Sequence, residues 1–158
     1  MIFSISIYSR SGSCLFHEKW NTVHTKAVTY EDPEEEKRLL FGLIFSLKEF
    51  VFKVTPSTSP VGDHHDAAPA PASEGLQRFQ TNSYTCHHYE TPSGLRFILM
   101  TDNHAGDLSS VLRHIYSQLY IELVVNNPLC DVHNSKTINS QLFRQQVKQY
   151  IEGLPSFR

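Results

Sequence analysis

The sequence predicts an α+β fold built around a mostly antiparallel sheet. Strand-like segments are segregated into a pair before the first helix and a run of three after it. A capped, strongly apolar helix separates the two groups, and two amphipathic helices close the chain. Runs of strands followed by runs of helices give this class, because each layer must bury its apolar face against another. At 158 residues the chain is read as one domain, 1–158.

The elements follow in order. Ile2 to Tyr8 alternates apolar and small polar residues, the period of a half-buried strand. Arg10-Ser11-Gly12 turns the chain, and Ser13 to Trp20 returns as the second strand of a hairpin. Asp32-Pro33-Glu34-Glu35 opens a helix: Asp32 can cap, proline suits the first helical position, and Glu35 completes a capping-box spacing. That helix is expected to run to about Lys53 and to stop before Pro56. Leu76 to Thr81, Tyr84 to Glu90 and Leu95 to Thr101 form the next three strands, with turns at Asn82-Ser83 and Pro92-Ser93-Gly94. Leu95 to Thr101 is apolar nearly throughout, as suits a central strand. Asp107 can cap a helix whose stripe is Leu108, Val111, Leu112, Ile115, Tyr116, Leu119, Tyr120, Leu123 and Val124, and Asn126-Asn127-Pro128 stops it. Leu142, Phe143, Val147, Tyr150, Ile151 and Leu154 mark the last helix, with Gly153 placed as a C-cap glycine. The first helix can cover one face of the sheet and the last two the other.

Residues 55–75 differ in kind. Pro56, Pro60, Pro69 and Pro71 sit among serine, alanine, histidine and aspartate with no hydrophobic periodicity. Such a segment buries too little apolar surface to offset its ordering entropy, so it is expected to be a flexible insertion.

Composition excludes several classes of function. A net charge of −2 offers no electrostatic footprint for nucleic acid and little attraction to acidic lipid. The start of the chain has no basic region ahead of an apolar core, so it does not read as a signal peptide. Three cysteines, Cys14, Cys86 and Cys130, with no CxxC pair, fit a reducing compartment. The expectation is a cytoplasmic protein.

Chemistry-bearing motifs are scarce. No phosphate-binding glycine loop, nucleophile elbow or HExxH is present. His64-His65-Asp66 lies in the insertion and reads as solvated linker, so no metal or other cofactor is expected. Cys86-His87-His88 lies on a strand. Cys86 and His88 can share a face with His87 on the other, and a small Cys/His hydrolase using Cys86 is one alternative function. The blander reading is a buried thiol between two strand histidines. Cys130 has no basic neighbour to activate it and reads as packing.

The first helix is the informative element. At 100° per residue, Leu39, Leu40, Leu43, Ile44, Leu47, Phe50, Val51 and Val54 occupy an arc of about 140°, taken as the core-facing stripe. Phe41, Phe45 and Phe52 fall on another side, with Arg38, Ser46, Glu49 and Lys53 filling the arc between. A helix covering a sheet needs one apolar face. The second, aromatic one is expected to be a partner interface formed by Phe41, Phe45 and Phe52.

Three segments resemble a known family. They are Glu34-Glu35-Glu36-Lys37-Arg38-Leu39-Leu40-Phe41-Gly42-Leu43-Ile44-Phe45-Ser46-Leu47, then Tyr89-Glu90-Thr91-Pro92-Ser93-Gly94-Leu95 with Thr101-Asp102, and most strongly Ile115 through Leu129. With the N-terminal hairpin ending at Trp20, they resemble the small longin-like subunits of the TRAPP (transport protein particle) vesicle-tethering complex, over nearly the whole chain except 55–75. The resemblance implies a longin-like (SNARE-like) fold: a five-stranded antiparallel sheet with one helix on one face and two on the other. It implies a structural subunit with no catalytic residues of its own. Its partners would be other TRAPP subunits and, through the assembled complex, a Rab-family GTPase whose guanine-nucleotide exchange the assembly catalyses in endoplasmic reticulum to Golgi transport. The chain would then be cytoplasmic, attached to Golgi and endoplasmic reticulum membranes only peripherally through the complex. Another longin-fold adaptor or a SNARE regulatory domain is the remaining alternative. The latter calls for a long heptad helix and an anchor beyond the longin fold.

Overall fold

The computed structural model describes residues 1–20, 33–55, 75–130 and 137–157. They fall into two compact units, Met1–Thr29 with Gln77–Arg158 and Tyr30–Leu76. The expected capping residue Asp32 and nearly all of the proline-rich insertion lie outside the described residues.

The larger unit is organised by a five-stranded sheet in the order β2-β1-β5-β4-β3, antiparallel throughout. Its strands are β1 (Ile2–Tyr8), β2 (Cys14–Lys19), β3 (Arg78–Gln80), β4 (Thr85–Glu90) and β5 (Arg96–Thr101). With three helices this makes the α+β arrangement expected of the sequence. β2 and β3 are shorter than their apolar patterns suggested, as befits edge strands with one neighbour each. β5 sits between β1 and β4 and is buried along almost its whole length.

The turns have definite chemistry. Gly12 takes φ 92° between β1 and β2, where Gly12 N–H donates to Ser9 O at 3.0 Å. Gly94 takes φ 86° between β4 and β5, and a Cβ there would meet the Arg10 side chain at 3.0 Å. Thr91 holds that turn by donating its N–H to Leu95 O at 2.9 Å while its hydroxyl accepts from Leu95 N–H at 3.0 Å.

Register places Ile5 opposite Leu99, Ile7 opposite Phe97 and Phe16, and His87 opposite Leu99. Residues directly opposite share a face, so this face carries Phe16, Ile5, Ile7, Phe97, Leu99, His87 and Tyr89. The other face carries Ser4, Ser6, Tyr8, Cys86, His88, Arg96 and Ile98, all buried.

Two helices pack on the first face. α2 (Ser109–His114) continues without a break into a π-helix, Ile115–Val125, where Asn126 N–H still reaches five residues back to Ile121 O at 2.9 Å. The sequence suggested a single α-helical stripe. Of that stripe the wider turn fully buries Ile115, Tyr120 and Val124 and leaves Tyr116, Leu119 and Leu123 half-buried, and it brings the Tyr120 ring 5.8 Å from Phe97 and 6.2 Å from Phe143. Asp107, the expected cap, lies one residue ahead of the observed N-cap. Leu108 occupies the N-cap, and the Asp107 carboxylate accepts from Ser109 N–H at 3.0 Å and from its hydroxyl at 2.6 Å. These bonds to the charged form hold the Asp107 carboxyl below its usual range.

α3 (Gln141–Glu152) is capped by Ser140, whose hydroxyl accepts from Phe143 N–H at 3.2 Å. It buries Phe143, Val147 and Ile151, one stripe at helical spacing. Arg144 pairs with Glu18 and lies 5.1 Å over the Phe16 ring, which ties α3 to β2. Gly153 ends α3 with φ −77°, a right-handed conformation, so left-handed freedom is not what places it there.

The smaller unit is described through α1 (Pro33–Val54). Its ends match the sequence expectation. Glu34, Glu35 and Glu36 fill the first turn and Lys53 the last, each charge on the favourable end of the helix dipole. The Thr55 hydroxyl donates to Val51 O at 2.7 Å beyond the last turn.

Candidate functional site

The exposed apolar surface of α1 is the feature that elementary packing does not explain. Ile44 is buried, and Leu40, Phe41, Leu47 and Val51 are half-buried, forming one stripe at intervals of three and four residues. On one shoulder of that stripe stand Phe45, 48% exposed, and Phe52, 81% exposed. Phe41 begins this shoulder: its ring stacks on that of Phe45 one turn later, with centroids 6.3 Å apart and planes 26° from parallel. The phenylalanines singled out by sequence therefore lie along one edge of the helix, with Phe41 partly covered.

The opposite shoulder corrects the sequence reading. Leu39, Leu43, Phe50 and Val54, expected to face the core, are exposed. Periodicity alone could not separate them from the buried residues. Together the shoulders and the stripe spread apolar residues over about 240° of α1, interrupted by Lys48, whereas one packed face needs little more than about 100°. Gly42, Ser46, Glu49 and Lys53 close the remaining arc. Scattered exposed apolar residues are ordinary on a protein surface, but contiguous rows that include large aromatics mark interaction surfaces.

The catalytic alternatives fare differently. Cys86 has no exposed surface, and burial pushes its thiol up to about 12. A nucleophilic cysteine needs the opposite shift, because the thiolate is the reactive form. His87 projects to the other face of β4 from Cys86 and His88. Cys14 and Cys130 are half-buried, and none of the three cysteines is in a disulfide. The Cys130 thiol points at Leu123 O, 3.9 Å away at the end of the π-helix, in keeping with a packing role. Among the described residues no group of three His, Cys, Asp or Glu side chains could hold a metal ion. His64-His65-Asp66 lies outside them. No helix among the described residues is long and apolar enough to cross a membrane.

Comparison with known proteins gives this arrangement a family. A model described as the Sybindin-like family matches residues 2–154, which takes in every described strand and nearly all of both units. The chain belongs to the Sybindin-like family. Among curated Sybindin-like relatives, "Trafficking protein particle complex subunit 1" of Homo sapiens is 36% identical over 156 residues, covering 99% of this chain and 95% of the relative. The protein of the same name from Dictyostelium discoideum is 32% identical over 157 residues, covering 99% of each chain. "Trafficking protein particle complex subunit BET5" of Saccharomyces cerevisiae is 30% identical over 163 residues, covering 99% of this chain and 94% of the relative. The α+β architecture, with its five-stranded antiparallel sheet and three helices, is thus that of a Sybindin-like, longin-like chain.

Proposed function

We propose that the chain is a subunit of a TRAPP complex acting in vesicle-mediated transport, and that it contributes surface rather than catalytic side chains. The observation that carries this reading is 30–36% identity, over nearly the full chain, to relatives named as trafficking protein particle complex subunit 1 or subunit BET5 in widely separated organisms. The exposed apolar shoulders of α1 support it, since a subunit built for assembly must keep partner-binding surface uncovered. The buried, protonated state of Cys86 argues against the hydrolase alternative.

In this reading the neighbours are other TRAPP subunits, and Phe41, Phe45 and Phe52 meet one of them. The assembled complex accelerates guanine-nucleotide exchange on a Rab-family GTPase in endoplasmic reticulum to Golgi transport. An exchange factor works by binding the nucleotide-poor GTPase more tightly than the loaded one, a differential affinity that needs a shaped surface and no covalent step. The chain is then cytoplasmic and reaches Golgi and endoplasmic reticulum membranes through the complex.

Two measurements on one preparation test the reading. The tagged full-length chain is purified from lysate and its companions are identified. A fluorescent-nucleotide release assay then compares the recovered complex with the isolated chain. Recovery of TRAPP subunits, with release accelerated by the complex and not by the chain, supports the proposal. Absence of those subunits, or acceleration by the isolated chain, overturns it.

A further inference from the structure

One buried titratable group stands apart from the partner surface. His87, in the middle of β4, has no exposed surface. Its Nε2 lies 3.3 Å from the Thr101 hydroxyl on β5, and its Nδ1 has no hydrogen-bond partner among the described residues. A neutral imidazole tolerates this arrangement, because the Nδ1 position can carry the lone pair. An imidazolium cannot, since both nitrogens then carry protons and the second donor is left unsatisfied in an apolar setting.

The charges around His87 do not rescue the cation. Arg78 is its direct cross-strand partner on β3 and places a like charge beside it. Asp107, at the turn that leads into α2, carries the opposing charge, but its carboxylate is exposed and already accepts both Ser109 bonds. β5 presents Thr101 and Leu99, which are uncharged. α2 packs on β4 through its apolar side, with Val111 and Leu112 buried, while its Arg113 and His114 are exposed. Desolvation, reinforced by Arg78 and opposed by Asp107, holds the His87 imidazole below its ordinary value.

We propose that His87 is an acid-sensitive latch: neutral, it lets α2 close over β4 and β5, and protonated, it opens that contact while the sheet itself stays paired. The sign follows from linkage. Above the ordinary histidine pKa, about 6.5, both folded and unfolded His87 are neutral and the latch is fully closed. As pH falls below that value the open state takes up the proton first, so closure weakens until the pH passes the lowered folded value. The inference concerns the interior of the fold and does not depend on which partners the chain binds.

The test uses the full-length chain between pH 7.5 and 5. Hydrogen–deuterium exchange, corrected for the intrinsic pH dependence of exchange, gives protection along the chain. NMR titration of the imidazole, identified through its contact to Thr101, gives its protonation. The latch predicts that protection of α2 falls by up to about tenfold per pH unit below 6.5, while the amides that pair β1, β5 and β4 hold theirs. His87→Gln, which keeps a polar group near Thr101 but cannot be protonated, should flatten that dependence. An imidazole that titrates at or above the ordinary value overturns the proposal. So does loss of protection spread evenly over the sheet, or the same pH dependence in His87→Gln. If the variant fails to fold, the wild-type titration and exchange map decide the matter alone.

Discussion

Phe41 and Phe45 stack one turn apart on α1, 6.3 Å between ring centroids, and the row they begin runs on to Phe52, which is 81% exposed. A pair of stacked rings on a helix surface, with a third standing clear, is what the proposed partner interface requires of its anchors. The helix is therefore expected to respond differently to substitution on its three apolar rows.

Ile44 marks the buried row. Ile44→Ser removes a fully buried aliphatic side chain and introduces a hydroxyl, and it should lower stability by roughly 2–5 kcal/mol. Leu43→Ser, one position away on the exposed shoulder, should cost less than about 1 kcal/mol. Thermal melts of the two variants check the expectation. Equal losses would mean that both rows are core.

The cysteines provide a second test. Cys86 is buried with its thiol raised to about 12, whereas Cys14 and Cys130 are half-buried. Thiol titration of the unreduced native protein at neutral pH should label two cysteines readily. The third should react only after denaturation. Rapid labelling of Cys86 in the native state would reopen the nucleophile reading.

Much of this was legible beforehand, and the exceptions have physical reasons. β1 and β5 declared themselves through alternation and through continuous apolarity, and both ends of α1 were marked by acidic residues, proline and a basic last turn. The π-helix was not legible. Leu119-Tyr120 and Leu123-Val124 are adjacent apolar pairs, so the stripe satisfies an α period through one member and a π period through the other. Packing against Phe97 and Phe143 selects Tyr120. On α1 the aromatic row was visible because it stood off the leucine stripe. The row of Leu39, Leu43, Phe50 and Val54 was misassigned because an apolar arc wider than any one contact does not reveal which part is covered.

Core packing under α2 and α3 should be far more sensitive than the ion pair beside it. Phe143 is fully buried, edge-on to Phe16 at 5.2 Å, and Phe143→Ala should cost about 3–5 kcal/mol. Arg144 is about half exposed, and Arg144→Ala should cost no more than about 1 kcal/mol even though it pairs with Glu18. Denaturant midpoints at unchanged slope separate the two. A large loss in the Arg144 variant would show that its stacking on Phe16 carries the contact.

The composition of 55–75 leads to a separate expectation. Replacing residues 57–74 with a short Gly/Ser bridge should leave the melting temperature within a few degrees of the parent, because loop length weakly affects closure entropy. A drop of many degrees would mean that the segment packs on the body.

Co-purification with the Phe45→Ser, Phe52→Ser double variant of the full-length chain decides whether α1 holds a sibling subunit through its aromatic row. Each phenylalanine withdrawn from water contributes roughly 1.5–3 kcal/mol. Losing both at an interface should therefore weaken it by about 100-fold or more. The double variant should melt near wild type and no longer recover the TRAPP subunits that the parent chain recovers. Recovery at the parental level by a folded double variant would contradict the proposed contact.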